Sequence, residues 1–381
     1  MTLALAGRIL AGRRLVRGEV AVAGGAVATS APRRARRALP EGWIVAPGLV
    51  DLQLNGYAGA EADGGAEALA AIAAALPAIG VTAFCPTLVS RPDAAYRRAA
   101  AALAGPLRPA PGAARALGTH LEGPFLSPGR PGVHPPGALR DPAPAAVDRL
   151  LAAFAPAIVT LAPELPGGLA ALRRVARAGA VAAVGHTEAD AATGRAAIAA
   201  GARLLTHALN AMRGLEHRRP SALAAFLADP RPTVSLIGDG VHVAPEVAVA
   251  VARAAGLRLA LVSDAVAAAG APPGRYRLGR RAVVSDGRRV AWRGRLAGSA
   301  LGLDEGPRTL AGAGLAAAAA LAAACSAPRR LLGLPGMSPG APADLVVLDA
   351  GLVPRLTLVG GLVAHADPAL PFDVPDRGQP V

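Results

Sequence analysis

Along the first forty-odd residues, small apolar and polar positions alternate between glycine turns, as in the VRGEVAVAGGAVA run from Val16 to Ala28. That period-two pattern predicts short antiparallel strands. From about Ala341 the chain returns to it, in ADLVVLD, LVPRLTLVGG and LVAHAD. The two ends are therefore expected to pair into one small β-sandwich domain. Between them, short β-branched or Leu-rich runs alternate with Ala-rich helical stretches. The runs predict strands near 45–54, 81–88, 115–121, 157–162, 180–185, 202–206, 232–237 and 258–263. Helices are expected near 66–78, 93–104, 144–156, 167–178, 188–200, 220–228, 245–255 and 303–325. Eight such repeats predict a (β/α)8 TIM-type barrel, with an open doubly wound sheet as the alternative. The expected organisation is a barrel over 47–335 and a small β domain assembled from 1–46 and 336–381. Residues 272–297, rich in Arg and Gly, read as a hairpin insertion before the last helix.

Composition narrows this picture. The 381 residues are 53% hydrophobic but only 3% aromatic and 17% charged, which excludes disordered and coiled-coil classes. A net charge of +14 invites a nucleic-acid reading. All of that basic charge is Arg, however, scattered apart from short clusters such as Arg33-Arg34-Ala35-Arg36-Arg37. With few aromatics for base stacking and no helix-turn-helix, zinc-finger or RNP pattern, no nucleic-acid partner is expected. Cys85 and Cys325 make no disulfide framework. Arg8, Arg13 and Arg14 interrupt the apolar N-terminus. Two stretches, 68–90 and 309–328, lack charge over membrane length. Pro77, Gly80 and Pro86 split the first, and Ala, a weak driver of insertion, dominates the second. Both are read as core, so no membrane partner and a cytoplasmic location are expected.

Some motif matches carry no chemistry. Gly312-Ala313-Gly314-Leu315-Ala316-Ala317 lies in an expected helix without the preceding strand that a dinucleotide turn needs. Gly336-Met337-Ser338-Pro339-Gly340 lacks a leading strand, and Pro339 would disrupt a nucleophile elbow. No H-E-x-x-H, Walker A or C-x-x-C occurs. Nicotinamide, nucleotide and zincin chemistry are not expected.

The informative polar residues follow the predicted strands in order. Asp51, Gln53 and Asn55 alternate onto one face of the first. His120, Glu122 and His134 follow the third, His186 the fifth and His207 the sixth. Asp239 and His242 end the seventh, and Asp264 the eighth. In a barrel these positions share one mouth, where chemistry is placed. Glu122, His186 and His207 would give one carboxylate and two imidazoles to one divalent metal, leaving a position open to water. That donor set suits Zn²⁺ or Fe²⁺. Asp264 can take a proton from the water and return it to a leaving amine. His120 shares the Glu122 strand face and is read as structural before ligand.

The runs HLEGPF, GVHPP, GHTEAD, THALNAM, DGVHV and LVSDA, with PGLVDLQLNG ahead and LAGSAL behind, resemble the N-acetylglucosamine-6-phosphate deacetylases of the amidohydrolase superfamily. The resemblance runs in order over roughly residues 47–335. It implies hydrolysis of N-acetylglucosamine 6-phosphate to glucosamine 6-phosphate and acetate. It also implies Glu122, His186 and His207 as metal ligands, Asp264 as base and acid, and His134 as the group facing the acetyl carbonyl. Val133, His134, Asn210, Ala211, Asp239, His242 and the Leu296-Ala297-Gly298 loop are implied substrate contacts. Arg218 is implied to reach the phosphate across a homodimer interface, with Arg219 beside it as a rival. Where many amidohydrolases carry H-x-H, this chain has Gln53-Leu54-Asn55. That implies one tightly held metal, with Gln53 near a vacant or weak second site. The family's N-A-M-P becomes Asn210-Ala211-Met212-Arg213 and its A-D-G-x-H begins with Gly238. The alternatives are an N-acetylgalactosamine 6-phosphate deacetylase or an amidohydrolase acting on a cyclic amide.

Overall fold

The computed structural model describes residues 2–103, 110–279 and 281–381. Residue 104, the expected end of the second helix, and residues 1 and 280 lie outside the described residues. Eight parallel strands run in sequence order: β1 (Leu49–Leu54), β2 (Val81–Val89), β3 (His120–Glu122), β4 (Ile158–Leu161), β5 (Val181–Val184), β6 (Ala202–Leu205), β7 (Thr233–Ile237) and β8 (Leu259–Val262). Each pairs with the next through a parallel ladder. The seam between β8 and β1 is drawn together just past β8, where Asp264 N–H donates to Gln53 O at 3.0 Å and Asn55 N–H to Ala265 O at 2.7 Å. The two edges meet, so the structure is a nearly closed barrel and not an open sheet.

Strand parity explains the packing. Side chains such as Cys85, Ile158, Ala183, Leu204, Ile237 and Val262 form one cluster drawn from nearly every strand. The alternate set, among them Leu121, Val159, Val184, Leu236 and Leu261, packs against the helices. Polar members of the inward set satisfy one another. His120 Nε2 lies 2.8 Å from Thr160 Oγ1, which is 2.7 Å from Thr206 Oγ1.

The two chain ends pair, as expected, but into one eight-stranded mixed sheet and not a purely antiparallel one. Ile44–Pro47 joins them, pairing parallel to Thr2–Ala11 and antiparallel to Leu345–Leu348. After Gly48 alone, Leu49 opens the barrel.

Three expectations need correction. The third strand, expected over 115–121, is broken: Arg115–Ala116 and His120–Glu122 pair separately with β2. Gly118 between them has φ +102°, a backbone conformation no regular strand accommodates. The last helix, expected over 303–325, is two helices, Glu305–Gly312 and Ala317–Leu332. Gly314, with φ +92°, ends the first turn of the reversal, and alanine composition hid the break. The insertion is not one hairpin but a four-stranded antiparallel meander, Gly274–Leu278, Arg281–Ser285, Arg289–Trp292 and Arg295–Ser299. Leu278, Val283, Val290 and Ala297 pack there against Val89 of β2 and Val266. No helix among the described residues is long and apolar enough to cross a membrane.

Candidate metal and substrate site at the barrel mouth

β3 ends on Glu122, β5 stops two residues before His186, and β6 two residues before His207. His186 (φ +48°), His207 (φ +32°) and Asp264 (φ +49°) all adopt left-handed backbone. For non-glycine residues that conformation costs on the order of 1–2 kcal/mol each and persists only where surroundings over-determine it. Three such residues at three strand ends mark the place where the fold spends stability to aim side chains.

The aim is tight. Glu122 Oε1 lies 3.2 Å from His186 Nε2 and 2.9 Å from His207 Nε2, and the two Nε2 atoms are 3.1 Å apart. All three side chains are buried. Ligands at about 2.0–2.1 Å on a tetrahedral ion stand about 3.3 Å from each other, close to these edges. His186 Nδ1 lies 2.9 Å from Arg130 O, an acceptor, so the proton sits on Nδ1 and Nε2 offers a lone pair. The donor set fits one divalent cation. His120 does not join it, because Leu52 O at 2.9 Å and Thr160 Oγ1 occupy both of its nitrogens.

Gln53 Nε2 donates to Glu122 Oε1 at 2.8 Å and to Asp264 Oδ1 at 3.2 Å. Ionised carboxylates only accept, so the amide must turn its NH₂ end toward them. Gln53 thus spans the gap between the two carboxylates as a donor, and its placement does not favour the expected weak second metal site.

Electrostatics follow from burial and neighbours. Burial alone would raise Glu122, but the adjoining imidazoles of His134, His186 and His207 outweigh it and hold the carboxyl well below its usual range. Burial and then the charge of Glu122 push Asp264 up to about 6, against the pull of His207, His242 and Asn55. Burial, with His186 adding to it, brings His134 down to about 4, so its ring is neutral.

A cavity of about 220 Å³ opens over these groups. Of the residues singled out in the sequence, Glu122, Val133, His134, His186, His207, Asn210, Ala211, His242, Asp264, Leu296 and Gly298 line it. Others stand elsewhere. Ala297 is buried behind the wall. Asp239 is also behind it: Oδ1 accepts the Val241 and His242 N–H groups, and Oδ2 meets His242 Nδ1 and Ser299 Oγ, each at 2.8 Å. Both carboxylate oxygens are thereby taken, and Asp239 orients His242. Arg218 is exposed on the loop after β6 and does not line the cavity of its own chain. Arg219 is exposed too, 3.4 Å from Glu216.

Some wall residues had no assigned role. Asn55 lines the cavity and donates to Asp264 Oδ1 at 2.8 Å; its place on the first strand's polar face was the available signal. Leu278 comes from the insertion, and Arg281 Nη2 donates to His134 O at 3.2 Å while stacking on Trp292 at 3.6 Å. Nothing in the local sequence points from that hairpin to the mouth.

Residues 44–376 match the amidohydrolase family. N-acetylglucosamine-6-phosphate deacetylase of Danio rerio is 37% identical over 344 residues, 84% of each chain, and that of Homo sapiens 36% over 393 residues, 95% of each. An N-acetylgalactosamine-6-phosphate deacetylase of Escherichia coli O157:H7 is 34% identical over 84% of this chain and 88% of its own. The N-acetyl-D-glucosamine-6-phosphate deacetylase of Mycobacterium smegmatis, solved with N-acetyl-D-glucosamine-6-phosphate, superposes with a TM-score of 0.87 at 38% identity, covering 95% of this chain and 99% of that one. This chain therefore belongs to the amidohydrolase family, among the N-acetylglucosamine-6-phosphate deacetylases, and is a hydrolase of an amide C–N bond.

Proposed function

We propose that the protein hydrolyses the acetamide of N-acetylglucosamine 6-phosphate, releasing acetate and glucosamine 6-phosphate, with Glu122, His186 and His207 holding one Zn²⁺ or Fe²⁺ ion. The observation that carries the reading is the convergence of those three donors within about 3 Å beside a carboxylate, Asp264, that belongs to a different strand. A divalent cation there makes water acidic near neutral pH and draws electron density from the acyl oxygen.

The chain's own residues do the rest. Asn55 and Gln53 both donate to Asp264 Oδ1, which leaves Oδ2 free to accept a proton. Asp264 takes one proton from water as its oxygen adds to the acyl carbon. It returns that proton to the amine nitrogen as the C–N bond breaks. His134, on the cavity wall, stabilises the negative charge that develops on the acyl oxygen. His242, Asn210 and the Ala211 backbone, with Val133 and the Leu296–Gly298 turn, hold the sugar.

The phosphate is assigned to Arg218 of a second copy, in a homodimer. Its support is the position of Arg218, exposed and absent from the wall of its own cavity; a guanidinium fork suits a phosphate. The reading includes a cytoplasmic location, supported by two cysteines that are buried and unpaired. Acetate release by the zinc-loaded protein tests it, measured on both phosphorylated epimers and on a dihydropyrimidine. The gluco epimer is expected to turn over fastest. Turnover of the dihydropyrimidine alone would overturn the assignment.

A further inference from the structure

We propose that Ser90 is a positioning residue for this reaction, fixing the His134 imidazole in the tautomer that carries its proton on Nε2. The inference rests on the reading that His134 meets the acyl oxygen.

Ser90 follows directly on β2, and its backbone N–H donates to His134 Nδ1 at 3.1 Å. Its hydroxyl oxygen lies 2.8 Å from the same nitrogen. A backbone N–H can only donate, so Nδ1 must offer its lone pair. At 2.8 Å two facing lone pairs would repel, so the hydroxyl proton points at Nδ1 as well. The hydroxyl's other neighbour, Glu122 O, is farther away at 3.3 Å. Both donors of one residue thus converge on one nitrogen, and a neutral ring must then place its proton on Nε2.

The surroundings agree. His134 Nε2 lies 3.4 Å from Glu122 Oε2, which accepts. The ring stands edge-on to His186, with centroids 4.5 Å apart and planes at 71°. Arg281 holds the His134 carbonyl, so the residue is fixed at ring and backbone. Ser90 is buried and does not line the active cavity, so it acts through the residues it holds, His134 first. The opposite tautomer would turn a lone pair toward the acyl oxygen and repel the charge that His134 must stabilise.

The test uses zinc-loaded protein, unaltered and as Ser90→Ala and Ser90→Thr. Nitrogen-15 NMR of the imidazoles, with His134 assigned by its loss in His134→Gln, reads the tautomer directly. The unaltered protein should show a proton-free Nδ1 and a protonated Nε2 at His134; Ser90→Ala loses the hydroxyl but keeps the backbone N–H donor, so it should populate the other form in part. With N-acetylglucosamine 6-phosphate, Ser90→Ala should lower kcat about 10-fold with KM within about twofold, and Ser90→Thr should restore most of it. Equal zinc content across the variants controls for folding. A protonated Nδ1 in the unaltered protein, unchanged kcat in Ser90→Ala, or no rescue by threonine would each overturn the proposal. An unaltered protein that binds zinc but releases no acetate would sink the functional reading instead, and the NMR result would still decide the role of Ser90.

Discussion

Glu122, His186 and His207 hold one another at about 3 Å in a buried corner where each neighbour is itself held: His186 by Arg130 O, Glu122 by Gln53, the His207 backbone by Ser235. Across the mouth, Arg218 stands in solvent on a loop whose contacts are local, its N–H on Glu216 and its neighbour Arg219 on the same carboxylate. One side is finished within a single chain. The other offers a guanidinium with nothing of its own chain's cavity to bind. The difference separates the bond-breaking part of the reaction from recognition of the substrate's anionic end, and it can be tested side by side.

The largest effect is expected on the finished side. Asp264→Asn keeps the shape and both hydrogen-bonding neighbours but cannot carry a proton. The proton-transfer role it removes is worth about 10²–10⁴-fold in rate, so kcat should fall by that much while the metal stays bound. Loss of metal together with activity would show that Asp264 is a structural support and break the division.

Acidity sharpens the same side. Asp264 works as the carboxylate, and its folded value is raised to about 6 by burial and the charge of Glu122. Activity should therefore be present above that value and lost as pH falls through it. A bound cation favours the carboxylate and moves the limb lower. The acid limb of kcat/KM is expected at or below about pH 6 and should shift or vanish in Asp264→Asn. A limb centred above pH 7 would point to another base.

The smallest effect is expected on the open side. Arg218→Ala should raise KM about 10-fold and leave kcat nearly unchanged, the signature of lost uniform binding, with Arg219→Ala within about twofold. Mixing Arg218→Ala with Asp264→Asn chains should restore partial activity if the arginine comes from a partner copy. No recovery on mixing, with sedimentation showing a monomer, would place phosphate recognition within one chain.

Much of this was legible because the chain is so apolar. In a sequence with 17% charged residues, polar side chains at successive strand ends stand out, and barrel topology collects them at one mouth. What sequence could not rank was distance from the cavity. Asp239 and His242 look equally available three residues apart, yet Asp239 spends both oxygens behind His242. Sequence places Gln53 only near a vacant or weak second metal site, and it could not show the two carboxylate neighbours that fix which end of the amide faces them. Ser90 and Arg281 carry no motif, since their roles depend on a loop and a hairpin meeting across the mouth. The break at Gly314 escaped for a simpler reason: an alanine run has helical propensity on both sides of a turn.

Metal analysis after exhaustive dialysis tests the central claim most directly. The unaltered protein should retain one equivalent of divalent metal per chain, and the double variant His186→Ala, His207→Ala should retain none while keeping the barrel's far-ultraviolet signature. A folded protein that holds no stoichiometric metal, or a double variant that binds it as well as the original, would contradict the account.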